Sequence, residues 1–300
     1  MQQLYYDALN ATQATMYPAE PNRSELHRRI TSDSFDNGET ATWLAALKET
    51  AVWRSVRDPS TGHTIHVVSD RSAAELTTDL LFGLRLLKWM TRTTPVTWYW
   101  WDQPRDRVLP AHTDPQRQHL NGGWAVPGVP EVHVYRREEA HKVLIHEAIH
   151  ALRLDVSMEE ASAVRPLFEQ DLGYPMWPHL GECYTEFFAE WLWAIADSKS
   201  LADAKKRWAY QRACSEGQAA QIWARIHDRV VAEDTNVFAY YILKWVLMQH
   251  EQEVLLAPHQ TVQKWFGWWQ AARPRLTQMA ARVSHTEANA IRMGMTCAKH

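Results

Sequence analysis

The sequence predicts an α+β fold, mostly helical, with a small N-terminal sheet and a helical C-terminal half. Three observations predict it. The runs that read as strands, "HTIHVV" (His63 to Val68), "PVTWYWW" (Pro95 to Trp101) and "EVHVYR" (Glu131 to Arg136), all lie in the first half of the chain. After residue 156 nearly every stretch has helical spacing. Between them stands "KVLIHEAIHALRLD" (Lys142 to Asp155), an apolar helix with polar residues at its centre.

Taken in order, residues 1 to about 60 look helical and polar, with turns at Asp36–Glu39 and Asp58–Gly62. After the first strand, Ser72 is placed to cap a helix that runs to Met90. The aromatic run Pro95–Trp101 is rich in β-formers. Asp102–Pro130 is irregular and proline-rich, with "NGG" at Asn121–Gly123. The apolar helix spans about Glu138 to Arg153. The helices expected beyond it cover roughly 158–170, 180–197, 202–231, 235–251, 260–271 and 274–293. The expected organisation is a mixed α/β lobe over 1–155 and a helical lobe over 156–300.

Composition narrows the function classes. With 46% apolar residues in 300, a large core is available. A net charge of −3 and scattered Lys and Arg argue against a nucleic-acid binder. No apolar run reaches membrane-spanning length, and the first residues lack the basic and apolar regions of a secretion signal. Three distant cysteines, Cys183, Cys214 and Cys297, suggest no disulfide framework, so an intracellular, reducing setting is expected. The 16 tryptophans, clustered at 98–101, 191–193 and 265–269, read first as core packing, and second as a carbohydrate or partner surface.

The chemistry lies in His146, Glu147 and His150, an HExxH motif. On a helix, positions i and i+4 share a face, so both imidazoles can point at one ion. Glu147, one step round, can reach a water on that ion and act as general base, then pass the proton to a leaving amine. A metal would thus satisfy polar groups that are otherwise costly to bury. The plain alternative is two surface histidines, which the flanking "VLI" and "AL" disfavour. The six-residue extension that would supply a third histidine fails, with Arg153 in place of a glycine and Val156 in place of the histidine. The search for a third ligand moves downstream to "HLGECYTEFFAEWLWAIA" (His179 to Ala196). Glu182, Glu186 and Glu190 recur there every four residues on an aromatic helix. Such a row repels itself unless cations or protons intervene. Residue patterns alone leave Glu182 and Glu186 both open as the ligand.

HExxH followed by a glutamate-bearing helix resembles the gluzincin metallopeptidases, of which the thermolysin-like enzymes are best known. "GECYTEFF" (Gly181 to Phe188) is similar to the family's ligand helix. The resemblance covers about a fifth of the chain, and the gap from His150 to Glu182 is longer than in thermolysin-like enzymes. It implies a zincin-like fold and one Zn2+ held by His146, His150 and Glu182. Glu186 would orient His146, and Glu190 would be peripheral. It also implies that substrate pairs with an edge strand, with Leu120–Val126 or Glu131–Arg136 as candidates. An oxyanion donor would come from the helical lobe: Tyr240 or Tyr241 on "DTNVFAYYILKW", capped by Asp234 or Thr235, or less favoured, His227 or His179. The layout also looks like HExxH proteins of large DNA viruses, which implies a virion as a second setting. The expected function is a zinc metallopeptidase acting on a peptide or protein, with its cleft between the two lobes. The alternative is a catalytically silent zincin-fold scaffold protein. A third reading is an aromatic-rich binding module in which the motif is accidental.

Overall fold

The structure, a computed structural model, describes residues 3, 7, 14–33, 35, 38–109, 114–155, 158–173, 178–227, 236–256, 262–283, 291–292 and 294, the side chains of 158–163, 262 and 291–292 excepted. Strand β1 (Tyr17–Ala19) and helices α1 (Arg23–Ser32) and α2 (Glu39–Leu47) precede β2 (Val52–Arg57) and β3 (Thr64–Ser69). Helix α3 (Ala73–Met90) leads into β4 (Thr97–Asp102). Then come β5 (Val108–Leu109), the single turn α4 (Arg117–Leu120), β6 (Gly123–Ala125), β7 (Glu131–Val134) and α5 (Ala140–Ala151). Helices follow: α6 (Met158–Leu172), α7 (Leu180–Ala196), α8 (Leu201–Ile226), a π-helical segment (Phe238–Leu243), α9 (Lys244–Gln249), α10 (Glu251–Leu256) and α11 (Val262–Ala280), before β8 (Ile291–Arg292). The protein is therefore α+β and mostly helical. Among the described residues, no helix is long and apolar enough to cross a membrane.

The chain forms two compact units, Met1–Asp106 with Asn121–Leu154 and Trp191–Lys205, and Arg107–Leu120 with Asp155–Glu190 and Lys206–His300. The single helix α7 is divided between them, its residues through Glu190 counted with the second and those from Trp191 with the first.

The first unit is built on a mixed six-stranded sheet of order β1-β2-β3-β4-β7-β6. β4 runs parallel to β3 and β7, and the other pairs are antiparallel. Parallel neighbours need crossovers, and helices cover both faces of β4, so this strand is apolar throughout rather than alternating. On one face the Trp98 and Trp100 rings stack at 4.9 Å, with His141 of α5 against both. Gly83 lets α3 close on them, because a Cβ there would stand 2.5 Å from the Trp98 ring. On the other face Tyr99 and Trp101 pack with Leu26, Ile30 and Leu44 of α1 and α2. Four neighbouring strands also place Trp124, His133, Tyr99 and His66 in one cross-strand row, with ring centroids 3.9, 4.9 and 5.2 Å apart. Burial there, helped by Arg29, pushes His133 down to about 3. Ser72 caps α3 through a reciprocal box with Glu75.

In the second unit α6 and α11 are joined by Asp171, which accepts from Trp269 Nε1 at 2.8 Å and Arg273 Nη1 at 2.7 Å. Phe168 packs against Phe238 and Trp269, and β5 pairs antiparallel with β8.

Several sequence expectations change here. The first sixty residues are not all helical: β1 and β2 lie among them. Arg54 and Arg57 interrupt the apolar pattern of β2, and Arg54 Nη1 is held by Ala73 O at 2.7 Å. The helix expected to end before Pro274 passes through it, since buried Trp269 and Leu276 on either side hold α11 by packing. The helix expected over 274–293 stops at Ala280, and 291–292 are strand; the residues from 284 to 290 lie outside the described set. Likewise α8 ends at Ile226, and the expected 227–231 portion lies mostly outside that set, as do the caps proposed at Asp234 and Thr235. Cys183 is a free, buried thiol, but Cys214 is disulfide-bonded, against the expectation of reduced cysteines. The clustered tryptophans at 98–101, 191 and 265–269 are buried, as packing requires.

Candidate metal centre

Helix α5 is buried almost without interruption from Lys142 to Ile149, which is why its sequence is so apolar. It packs on β6, β7 and α3. Arg153, in the left-handed region at φ 54°, turns the chain out of the helix, and the Leu154 N–H closes on Ile149 O at 2.9 Å. Within this rigid element His146 and Glu147 are buried and His150 is partly open.

The i, i+4 spacing brings the two Nε2 atoms to 3.2 Å of each other. Two nitrogens bound at about 2.05 Å to one tetrahedral ion stand roughly 3.3 Å apart. The imidazoles therefore already hold the separation that a shared zinc ion requires. Glu147 stands over Gly123 of β6: a Cβ on that glycine would lie 3.1 Å from Glu147 Cγ and 2.4 Å from His133 O.

Helix α7 supplies the carboxylates. Glu182, in its first turn, is partly buried, whereas Glu186 and Glu190 are fully buried. His146, His150 and Glu182 each offer a ligand atom, and these atoms all lie within 4.8 Å of one another. Among the described residues no other group of three His, Cys, Asp or Glu side chains does this. Two imidazoles and one carboxylate form a donor set suited to a catalytic zinc ion, with a fourth position left for water or substrate. Burial pushes the Cys183 thiol well up. Burial also lowers His179, against the opposing pull of Glu182.

The two candidate tyrosines part ways. Tyr240 Oη donates to Glu182 Oε2 at 3.1 Å and itself accepts from Asn236 Nδ2 at 3.4 Å. Tyr241 is buried with Lys244 Nζ 5.6 Å from its ring centroid. His227 Nδ1 donates to Trp223 O at 2.8 Å, a helix-end contact.

Sequence reasoning missed Lys244. Its ammonium is fully buried, 2.5 Å from Glu190 Oε1 and 3.9 Å from Glu186 Oε1. Glu190, expected to be peripheral, is thus the closer partner of a buried cation. The signal was present twice: a row of carboxylates that demanded a cation, and one lysine in the apolar run "FAYYILKWVLM".

The fold and this donor set define an α+β protein with a candidate His2Glu metal centre on two helices. No family model, no curated protein and no solved structure matches the chain.

Proposed function

We propose that the protein is a zinc-dependent peptidase of the gluzincin type, with a zincin-like arrangement of sheet and active-site helix. His146, His150 and Glu182 hold the ion, Glu147 is the general base, and Glu186 orients His146. The observation that carries the reading is the 3.2 Å approach of the two Nε2 atoms, with a Glu182 oxygen in the same group. Bound there, zinc would supply an activated water and polarise the scissile carbonyl. Glu147 takes a proton from the attacking water and returns it to the departing amine. Its buried seat on Gly123 limits its rotation and keeps its carboxylate near one position. β6 is the last strand of the sheet, and its outer edge is where a peptide would pair through main-chain hydrogen bonds. Val126 and Val129, just beyond it, are exposed and suited to apolar side chains.

The second reading is a metal-binding scaffold without turnover, in a virion or elsewhere. Glu147 counts against it, because ion binding alone does not require a carboxylate between the two histidines. Metal analysis and a peptide-library assay on wild type, Glu147→Gln, Glu182→Ala and Glu186→Ala separate the two. The expected result is one zinc per wild-type chain, zinc without hydrolysis in Glu147→Gln, and no zinc in Glu182→Ala. Zinc in Glu182→Ala but not in Glu186→Ala would exchange the roles of the two glutamates. A wild type that holds zinc and cleaves nothing would favour the scaffold.

A further inference from the structure

Two ladders with the same step face each other in the second unit. On α7, Glu182, Glu186 and Glu190 recur every four residues. Across from them, Tyr240 and Lys244 are also four apart, at the π-helical segment and the start of α9. The rungs meet in order: Tyr240 Oη on Glu182 Oε2 at 3.1 Å, and Lys244 Nζ 2.5 Å from Glu190 and 3.9 Å from Glu186. Two polar attachments, spaced along the axis, add to the packing of buried Phe187, Ala189 and Trp191 in fixing the rotation and axial register of α7. Lys244, Glu186 and Glu190 have no exposed surface, so the attachment lies in low dielectric, where removing one partner is costly. π-Helical turns occur frequently at functional sites, and this one carries Tyr240.

We propose that Lys244 is a positioning residue of the metal centre: its ammonium, clamped between Glu190 and Glu186, sets the register of α7 so that Glu182 is presented as a ligand. The inference rests on the metal-centre reading above. Charge supports it. A row of three carboxylates calls for nearby positive charge: Lys244 lies within 4 Å of two of them, and a divalent cation at Glu182 would supply the rest. The Tyr240 hydroxyl donates to Glu182 Oε2 at 3.1 Å, so it touches the carboxylate that the proposal makes a ligand.

The test compares Glu190→Gln with Lys244→Met/Glu190→Gln, in which the closer ion pair becomes a neutral pair of similar size while Glu186 loses its more distant cation. Zinc affinity is measured by competition with a chromophoric chelator, and ligand geometry by the visible absorption of the Co2+-loaded protein. The reference is the zinc Kd of Glu190→Gln, which keeps Lys244 beside Glu186 and is expected to bind zinc more weakly than wild type. In the double variant it weakens a further tenfold or more, on the order seen when groups behind metal ligands are lost, and the Co2+ band shifts. Equal Kd values and identical Co2+ spectra in the two variants would overturn the proposal. Should the double variant not fold, Glu186→Gln/Glu190→Gln with and without Lys244→Met gives the same comparison. A wild type that binds no zinc overturns the metal centre and this inference with it. Zinc binding without peptide cleavage overturns only the hydrolase.

Discussion

Gly123 leaves Glu147 no room for a larger neighbour: a Cβ on the glycine would stand 3.1 Å from the glutamate's Cγ. Gly123→Ala forces the new methyl into His133 O and Val143 as well as Glu147. It should destabilise the fold by about 1–3 kcal/mol, the usual cost of overpacking. On the proposed function it should also lower kcat while zinc stays bound. Urea unfolding, zinc analysis and peptide hydrolysis on one preparation check the three parts.

The Tyr240 hydroxyl donates to Glu182, and on the proposed function this is a different task from the oxyanion donor that the family resemblance implies. A hydrogen bond to a charged group contributes about 1.5–3 kcal/mol. Tyr240→Phe should therefore weaken zinc binding by about ten- to a hundredfold, whereas Tyr241→Phe should leave it unchanged. A Tyr240→Phe protein with unaltered zinc affinity and a collapsed kcat would return the residue to the oxyanion role.

His133 ties stability to pH. Its pKa in the fold, about 3, lies below the ordinary 6.5, chiefly through burial and then through Arg29. Between these values the unfolded chain binds a proton that the folded one refuses, so this stabilisation is complete above pH 6.5 and is lost as pH falls toward 3. The change is on the order of 5 kcal/mol at most. Burial lowers His63, His66 and His141 in the same direction. His133→Phe, which keeps a ring between Trp124 and Tyr99, should shift the acid-unfolding midpoint to lower pH, read by circular dichroism.

Ser72 and Glu75 satisfy two otherwise orphaned N–H groups at the start of α3. Ser72→Ala should cost about 1 kcal/mol, measured as a lower urea midpoint with unchanged slope. A cost near zero would mean that solvent replaces the cap.

What was legible in the sequence was local. β3, β4 and β7 follow from short runs of β-formers, α3 from its cap, and α5 from an apolar pattern interrupted only where chemistry requires it. The pairing of His146 with His150 is a property of helix geometry, so it too could be read. What escaped depends on residues far apart in the chain. β2 looked polar, and its Arg54 finds partners on α3. Pro274 sits inside a helix because tryptophan packing outweighs the lost hydrogen bond. That Lys244 would meet Glu190, or that Tyr240 would donate to Glu182, depends on how α7 is juxtaposed with the π-helical segment and α9. The edge position of β6 depends on a strand order that no single segment encodes.

The two outermost strands of the sheet are only three residues long, and one of them, β1, has Pro18 at its centre, with no N–H to give. Neither border therefore offers a second copy of the chain a long row of donors and acceptors on which to grow. β6 has room for a brief stretch of peptide but not for the extended strand-on-strand stacking of a fibril. The same brevity that restricts what docks there guards the protein against polymerising with itself.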